Sequence, residues 1–248
     1  MERAEHLNRR RLLAGAAGLA ATGLAAGWPT SPALAADAPL ALAGRLVQGG
    51  FALGRTAPRA RLFVGGDAVG QASASGLFVV GFDRDAPAQA TVRVVTPQGA
   101  ASQTLAVAPG SFDIQRVNGL PQNQVSPSDP ALLARIAAEV RRKAEGFSSN
   151  VDGDDFRDGF VLPVTGARLS ARFGGQRILN GEPRRPHYGA DLAAPIGTPV
   201  RAPAGGTVCF AETGLHFEGS LILIDHGQGL ISCYLHLSRV NVARGQRV

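Results

Sequence analysis

His187 and Asp191 are two residues whose types and spacing could bind one metal ion. A neutral imidazole nitrogen and a carboxylate oxygen are both zinc ligands, each about 2.0–2.2 Å from the ion. Four residues of straight strand span roughly 13 Å, too far for a shared ion. A helix would place positions i and i+4 on one face, but Pro186 and Gly189 disfavour a helix here. The chain must therefore bend at Tyr188-Gly189, where glycine permits it, if the two side chains are to share a metal.

This pair stands within an ordered series of short motifs. Upstream lies Arg172-Phe173-Gly174, and downstream lie Ala194-Pro195-x-Gly197-Thr198-Pro199-Val200-x-Ala202-Pro203, Gly206-Thr207-Val208 and Tyr234-Leu235-His236-Leu237-Ser238. Over about residues 160–248 the series resembles the lysostaphin/LytM-type zinc metallopeptidases, which cut peptide cross-links in bacterial cell walls. The resemblance implies an antiparallel β-sheet peptidase domain, with Zn²⁺ as the cofactor and His187 and Asp191 as two of its ligands.

The last predicted strand, residues 230–237, alternates between apolar and polar side chains. One face would carry Ile231, Cys233, Leu235 and Leu237, and the other would carry Ser232, Tyr234 and His236. The alternation places His236 on a rigid strand, aimed out of the core. By the same resemblance, His236 is a catalytic histidine near the zinc rather than a ligand.

A catalytic zinc takes three protein ligands and keeps one open position. In the resembled family the third ligand and a further catalytic histidine come from a His-x-His motif some dozens of residues after the Tyr-x-His-Leu-Ser strand. No histidine follows His236 in this sequence. We therefore expect a peptidase domain over residues 159–248 that is truncated before this motif, with a degenerate, ligand-poor relative as the alternative.

The other histidines and the two cysteines are expected to lie outside the catalytic set. His226 sits in an Asp-His-Gly turn and is expected to be structural, while His216 lies in a loop that could border the substrate groove. Cys209 and Cys233 fall on predicted strands with apolar neighbours, where they could either pair or remain buried free thiols. No Cys-x-x-Cys spacing indicates that they bind zinc.

Residues 1–35 have the features of an export signal. A basic stretch, Asn8-Arg9-Arg10-Arg11, precedes an apolar run rich in Ala and Gly, and Ala33-Leu34-Ala35 is a small-x-small cleavage site. The paired arginines resemble a twin-arginine signal, and an ordinary secretory signal or an uncleaved anchor are the alternatives. The signal predicts an exported protein of the periplasm or cell envelope, with no stable transmembrane segment after its removal.

Residues 37–112 predict a small β-sandwich that carries no histidine or cysteine. Candidate strands cover residues 40–48, 59–64, 77–82, 90–95 and 103–107, separated by regular turns. Its role could be chaperone-like, wall-binding or simply that of a spacer. Residues 113–158 predict a linker, with a helix over 130–144 that Gly146 ends and an acidic, solvated stretch after it. An apolar stripe on the helix, formed by Leu132, Leu133, Ile136 and Val140, is expected to dock on a neighbouring domain.

The sequence thus predicts a mainly β protein that is an exported zinc metalloendopeptidase in its full-length form. Its expected partners are the peptide stems or bridges of peptidoglycan, and other wall hydrolases are a further possibility. A catalytically inactive regulator of such hydrolases and a wall-binding module are the alternatives. The net charge is +6, and nearly all of the basic residues are arginines. The sequence has no recognisable nucleic-acid-binding motif. A nucleic-acid partner is therefore not expected.

Overall fold

The computed structural model describes residues 40–119 and 129–248, and the predicted export signal lies outside them. Within these residues the chain forms fifteen strands and a single α-helix, so the predicted mainly β fold is confirmed. No helix in the described ranges is long and apolar enough to cross a membrane.

The N-terminal half consists of two antiparallel sheets that share one core. The first has the order β1-β2-β5, with β1 at Leu40–Gly44, β2 at Phe51–Thr56 and β5 at Leu77–Gly81. The second has the order β4-β3-β6-β7, with β4 at Asp67–Gln71, β3 at Arg61–Val64, β6 at Gln89–Thr96 and β7 at Gly99–Ala106. Buried side chains from both sheets meet between them, among them Ala52, Leu62, Phe78, Val92 and Leu105.

Two strands of this half, β2 and β4, were absent from the predicted set. β2 contains Gly54, which has no side chain and lies against the ring of Phe78; a Cβ at Gly54 would come 2.0 Å from that ring. β4 is exposed at every position. Neither strand shows the strong apolar alternation on which the prediction depended.

Helix α1 runs from Pro130 to Phe147, three residues beyond its predicted end. The Asp129 side chain accepts a hydrogen bond from the Ala131 N–H, which caps the N-terminus. Gly146 does not end the helix. Gly146 is buried, and a Cβ added to it would lie 2.8 Å from the side chain of Phe210. Because glycine has no side chain, the helix can approach the adjoining sheet closely.

The predicted docking of the apolar stripe of α1 is wrong for two of its members. Leu133 and Val140 are 45% and 40% exposed, whereas the buried residues of the helix are Glu139 and Gly146. The buried residues of the helix are thus a small one and a polar one, and Phe147 at its C-terminal end packs against the same core as Phe210. Periodicity alone could not identify that face, because Glu139 is buried only where it finds hydrogen-bond donors.

The acidic stretch after α1 is not the solvated linker that we expected. Asp225, which is fully buried, accepts hydrogen bonds from Ser149 Oγ at 2.7 Å and from the Val151 N–H at 2.8 Å. Further along, the Asp152 carboxylate pairs with Arg59 of the sandwich. Residues 149–155 thus form a strap that joins the two halves of the protein.

The C-terminal half is built from three small sheets. Strands β8 (Ile114–Val117), β10 (Gln176–Leu179) and β11 (Glu182–Pro183) form one, in which β8 and β10 are parallel. β9 (Arg168–Ala171) pairs with β12 (Asp191–Ala193). The third is antiparallel, with β13 (Thr207–Leu215), β14 (Gly219–Asp225) and β15 (Ile231–Tyr234) in that order. β8 lies within the predicted linker and shows that this stretch is part of the folded half.

The antiparallel β13-β14-β15 sheet carries the core of this half. Its central strand contributes Leu221 and Leu223, which pack with Phe210, Leu215 and Ile231. Complete burial of a side chain of this size contributes about 1.5–3 kcal/mol. This sheet and the strap fix the frame on which the candidate site is built.

Candidate active site

The structure brings the side chains of His187 and Asp191 together. The chain bends at Gly189 between the end of β11 and the start of β12, as the sequence required. His187 Nε2 lies 3.2 Å from Asp191 Oδ1. Two backbone hydrogen bonds, both 2.7 Å long, hold His187 against Gly174 and Gly175, and Asp191 is the first residue of β12. Both residues therefore stand on ordered backbone.

The second ring nitrogen of His187 determines what Nε2 can do. Nδ1 lies 3.2 Å from the carbonyl oxygen of Arg172, which can only accept a hydrogen bond. Nδ1 therefore carries the hydrogen of the neutral ring, and Nε2 presents its lone pair to the Asp191 carboxylate. Two acceptors this close require a proton or a cation between them.

The geometry of this pair fits zinc. Ligand atoms about 2.0–2.2 Å from a tetrahedral ion lie roughly 3.3–3.5 Å from one another, close to the observed separation. A metal-bound histidine usually donates its other ring N–H to a carbonyl or carboxylate, as His187 does to Arg172. Within residues 40–119 and 129–248, no group of three or more His, Cys, Asp or Glu side chains is placed to hold a metal. The described residues thus bring together two candidate ligands.

The predicted placement of His236 on a strand is wrong. β15 ends at Tyr234, Leu235 is 43% exposed, and His236 has a left-handed φ of 59°. The His236 N–H donates to the carbonyl oxygen of Glu218 at 2.9 Å. The sequence alternation continues to Leu237, but the chain turns out of the ladder at His236.

One large cleft connects these residues. It has a volume of about 2310 Å³ and is lined by His187, Asp191 and His236, and by parts of the sandwich. Exposed apolar side chains also line it: Phe160, Val161, Leu162, Ile196, Val200, Phe217 and Leu235. The cleft therefore combines a candidate metal pair and an exposed imidazole with an apolar wall.

The sandwich contributes to this wall through the turn after β5, which sequence reasoning had given no role. Arg84 Nε donates to the Gly174 carbonyl at 2.8 Å, and the Arg84 guanidinium lies 5.0 Å from the centre of the Phe112 ring. Burial raises the pKa of Tyr188, next to His187, and the negative charges of Asp83 and Asp85 raise it further. The sequence shows the Asp83-Arg84-Asp85 turn, but no neighbouring residue indicates that Arg84 contacts Gly174.

His226 is fully buried, and both of its ring nitrogens have partners. Nδ1 lies 2.5 Å from the Gly205 carbonyl and donates to it, so Nε2 accepts from Ser232 Oγ at 2.7 Å. The Tyr234 hydroxyl in turn donates to Ser232 Oγ at 2.8 Å, and burial raises its pKa to about 12. His226 is therefore part of a buried hydrogen-bond network. A neutral ring, with its hydrogen on Nδ1, makes both of the histidine's hydrogen bonds.

We expect this network to make the protein less stable in acid. Burial lowers the pKa of His226 below its ordinary value of about 6.5. The unfolded chain therefore takes up a proton first as the pH falls. The stability that the neutral ring contributes is fully present above pH ~6.5 and is lost as the pH falls toward the folded-state pKa.

Denaturant midpoints at pH values from about 7.5 to 5 would measure this effect in the wild type and in His226→Gln. The variant should be less stable at neutral pH but should lose less stability across this window. His216→Gln is the matched control, because His216 is exposed and its ring packs edge-on against Phe217. Equal pH slopes for the wild type and His226→Gln would contradict the expectation.

Cys209 and Cys233 are both free thiols. They lie on β13 and β15, on either side of the central strand β14, and belong to the same apolar core. Burial raises the pKa of Cys209 to about 11 and that of Cys233 to about 12. Of the two states that the sequence left open, the structure shows free thiols, with Cys209 buried and Cys233 half-buried.

Comparison with known proteins gives a family match within this half and several similar proteins. Residues 185–248 match the model of Peptidase family M23. The chain is 34% identical over 116 residues to the peptidoglycan DD-endopeptidase ShyA of Vibrio cholerae, covering 46% of this chain and 26% of that protein. It is 38% identical over 90 residues to a lipoprotein NlpD/LppB homolog of Pseudomonas aeruginosa, covering 36% of this chain and 28% of the relative.

A third relative, the cell division protein DipM of Caulobacter vibrioides, is 38% identical over 89 residues, which are 36% of this chain and 14% of DipM. The matches thus span about a quarter or less of each of these relatives. A crystal structure of a candidate peptidase M23 from Pseudomonas aeruginosa superposes with a TM-score of 0.60 at 27% identity, covering 82% of this chain and 78% of the other. The C-terminal part of the chain, which carries His187, Asp191 and His236, is therefore similar to Peptidase family M23.

Proposed function

We propose that the protein is a zinc-dependent endopeptidase that hydrolyses peptide cross-links of bacterial cell-wall peptidoglycan. The observation that carries this proposal is the pairing of His187 Nε2 with Asp191 Oδ1 at 3.2 Å inside the family match. The names of the relatives agree with it. They include ShyA and a DD-carboxypeptidase/endopeptidase, Mpg, of Neisseria meningitidis.

His187 and Asp191 would hold the zinc, which, when bound, supplies a water of lowered pKa and polarises the scissile carbonyl. The Arg172 carbonyl fixes the ring orientation and tautomer of His187. The Asp191 carboxylate offsets part of the charge of the ion. These two residues need a third protein ligand, as catalytic zinc sites do.

His236 would act on the substrate side of the cleft. Its imidazole is exposed and lines the same cleft as the metal pair. From there it could orient the attacking water or donate to the oxyanion that forms from the scissile carbonyl. The apolar wall, to which Phe217 and Leu235 contribute, would hold the substrate peptide by burying its apolar groups.

The test is zinc analysis of the purified complete gene product combined with release of soluble muropeptides from isolated peptidoglycan. We expect about one zinc per chain and release that a chelator abolishes and zinc restores. If zinc binds and no bond is cut, while the rate of a second wall hydrolase rises, the protein is a regulator. Peptidoglycan binding with neither effect would identify a wall-binding module.

We also propose that the protein is exported to the periplasm or cell envelope, with a mature chain that begins near Ala36. The charged stretch, apolar run and Ala33-Leu34-Ala35 site support this. N-terminal sequencing of the exported protein tests it, and an intact Met1 on that product would contradict cleavage. Replacing both Arg9 and Arg10 with lysine should block export if the twin-arginine reading holds, whereas Arg3→Lys serves as the control outside the pair.

A further inference from the structure

Helix α1, which lies outside the family match, contacts the end of β13 and the turn between β13 and β14 at four points. Two contacts reach the backbone: Arg135 Nη2 donates to the Gly214 carbonyl of β13 at 2.7 Å, and Glu139 Oε2 accepts the N–H of His216 in the turn at 2.8 Å. Two further contacts are ion pairs, Arg142 with Glu212 at 3.1 Å and Lys143 with Glu218. The helix therefore determines where this turn sits.

Glu218 links the helix to His236. Its carboxylate pairs through Oε1 with Lys143 Nζ, and the two side chains are only 15% and 12% exposed. Within the described part of the chain, its other carboxylate oxygen is buried without a hydrogen-bond partner. The Glu218 carbonyl oxygen accepts the His236 N–H. Lys143 is thus the cation that makes this buried carboxylate tolerable, because breaking a buried pair leaves a charge uncompensated.

His236 needs such a contact because of its backbone conformation. A non-glycine residue with a φ of 59° is uncommon and persists where the surroundings enforce it. The hydrogen bond from the His236 N–H to the Glu218 carbonyl holds the backbone in this conformation. If Glu218 moves, the strained conformation loses its support and the imidazole loses its fixed direction.

We propose that Lys143 and Glu218 are positioning residues for the His236 imidazole, so that helix α1 is a working part of the peptidase site. The predicted effect on catalysis rests on the proposed function, whereas the predicted effect on the His236 backbone does not. Lys143 acts through Glu218, and Glu218 acts through the backbone of His236. Both residues would act on the imidazole indirectly, through the backbone of His236.

Lys143→Met tests the proposal in the full chain. Amide hydrogen exchange of His236, followed by NMR, should accelerate roughly ten-fold or more as its bond to Glu218 opens. In the complete gene product kcat should fall roughly ten-fold, while KM and zinc content stay within about two-fold, because a misdirected group affects the chemical step. Lys143→Arg keeps the charge and should restore both values.

Arg142→Met is the matched control, since it removes an ion pair of the same helix that has no link to His236. It should leave His236 exchange and kcat unchanged. Glu218→Gln provides a second variant, which keeps the backbone and removes the buried charge, and it should show the same exchange effect if Lys143→Met does not fold.

Unchanged His236 exchange in both Lys143→Met and Glu218→Gln would overturn the proposal. So would an equal increase in Arg142→Met, since this would show general loosening of the helix. A wild-type protein without peptidase activity would instead contradict the proposed function, and the exchange measurements would still decide the positioning role.

Discussion

Asp191→Ala should remove the bound zinc and the peptidase activity together. Asp191 Oδ1 faces His187 Nε2 at 3.2 Å, so the variant keeps one ligand of the pair and loses the carboxylate that offsets the ionic charge. Loss of a direct ligand should weaken zinc binding by more than about a hundred-fold, the upper end of what outer contacts contribute. The fold should persist because the Asp191 side chain is 58% exposed.

The measurements for this variant are zinc content after dialysis and muropeptide release from peptidoglycan. Glu182→Ala is the matched control, because it removes an exposed carboxylate five residues before His187 and should change neither value. Full zinc content in Asp191→Ala would show that Asp191 is not a ligand. Lost zinc with retained hydrolysis would refute the metal mechanism.

His236→Ala should keep the zinc and slow turnover by roughly a hundred-fold or more. This is the usual scale for one positioned acid–base or oxyanion group. The residue lies beyond β15 and is held through its backbone, so its side chain can be removed without disturbing the pair at His187 and Asp191. The two variants should therefore fail in different ways.

The left-handed backbone at His236 calls for a second variant. Alanine tolerates this conformation poorly, whereas asparagine adopts it more readily, so His236→Asn separates loss of the imidazole from backbone strain. Both variants should retain zinc and lose activity. His216→Ala, which replaces another exposed histidine, is the control and should retain both zinc and activity. If His236→Ala loses zinc, His236 is a ligand. If it keeps zinc and full activity, the residue has no part in the reaction.

The proximity of His187 and Asp191 could be predicted because its causes are local. A bend is needed over four residues, and Gly189 supplies it within the same stretch. The mainly β fold was predictable for a similar reason, since turns punctuate short apolar runs throughout the sandwich. The strands that escaped prediction, β2 and β4, lack strong alternation: one packs a glycine against Phe78 and the other is exposed at every position.

The surroundings of the site could not be read in this way because they depend on distant partners. Residues 235–237 continue a strand-like alternation in sequence. The chain nevertheless turns at His236, where the backbone N–H bonds to the distant carbonyl of Glu218. The acidic stretch 149–155 has the composition of a solvated linker. Its carboxylates are nevertheless held by Arg59 on one side and Arg247 on the other, far away along the chain.

The two core thiols bear on how the folded chain would withstand oxidising conditions, such as those that the proposed export would bring. The thiolate is the species that attacks disulfides and reacts with oxidants. Burial raises the pKa of Cys209 to about 11 and that of Cys233 to about 12, so the thiolate form of either residue is scarce at neutral pH. We therefore expect both thiols of the folded chain to react slowly with disulfides and to remain reduced under mildly oxidising conditions.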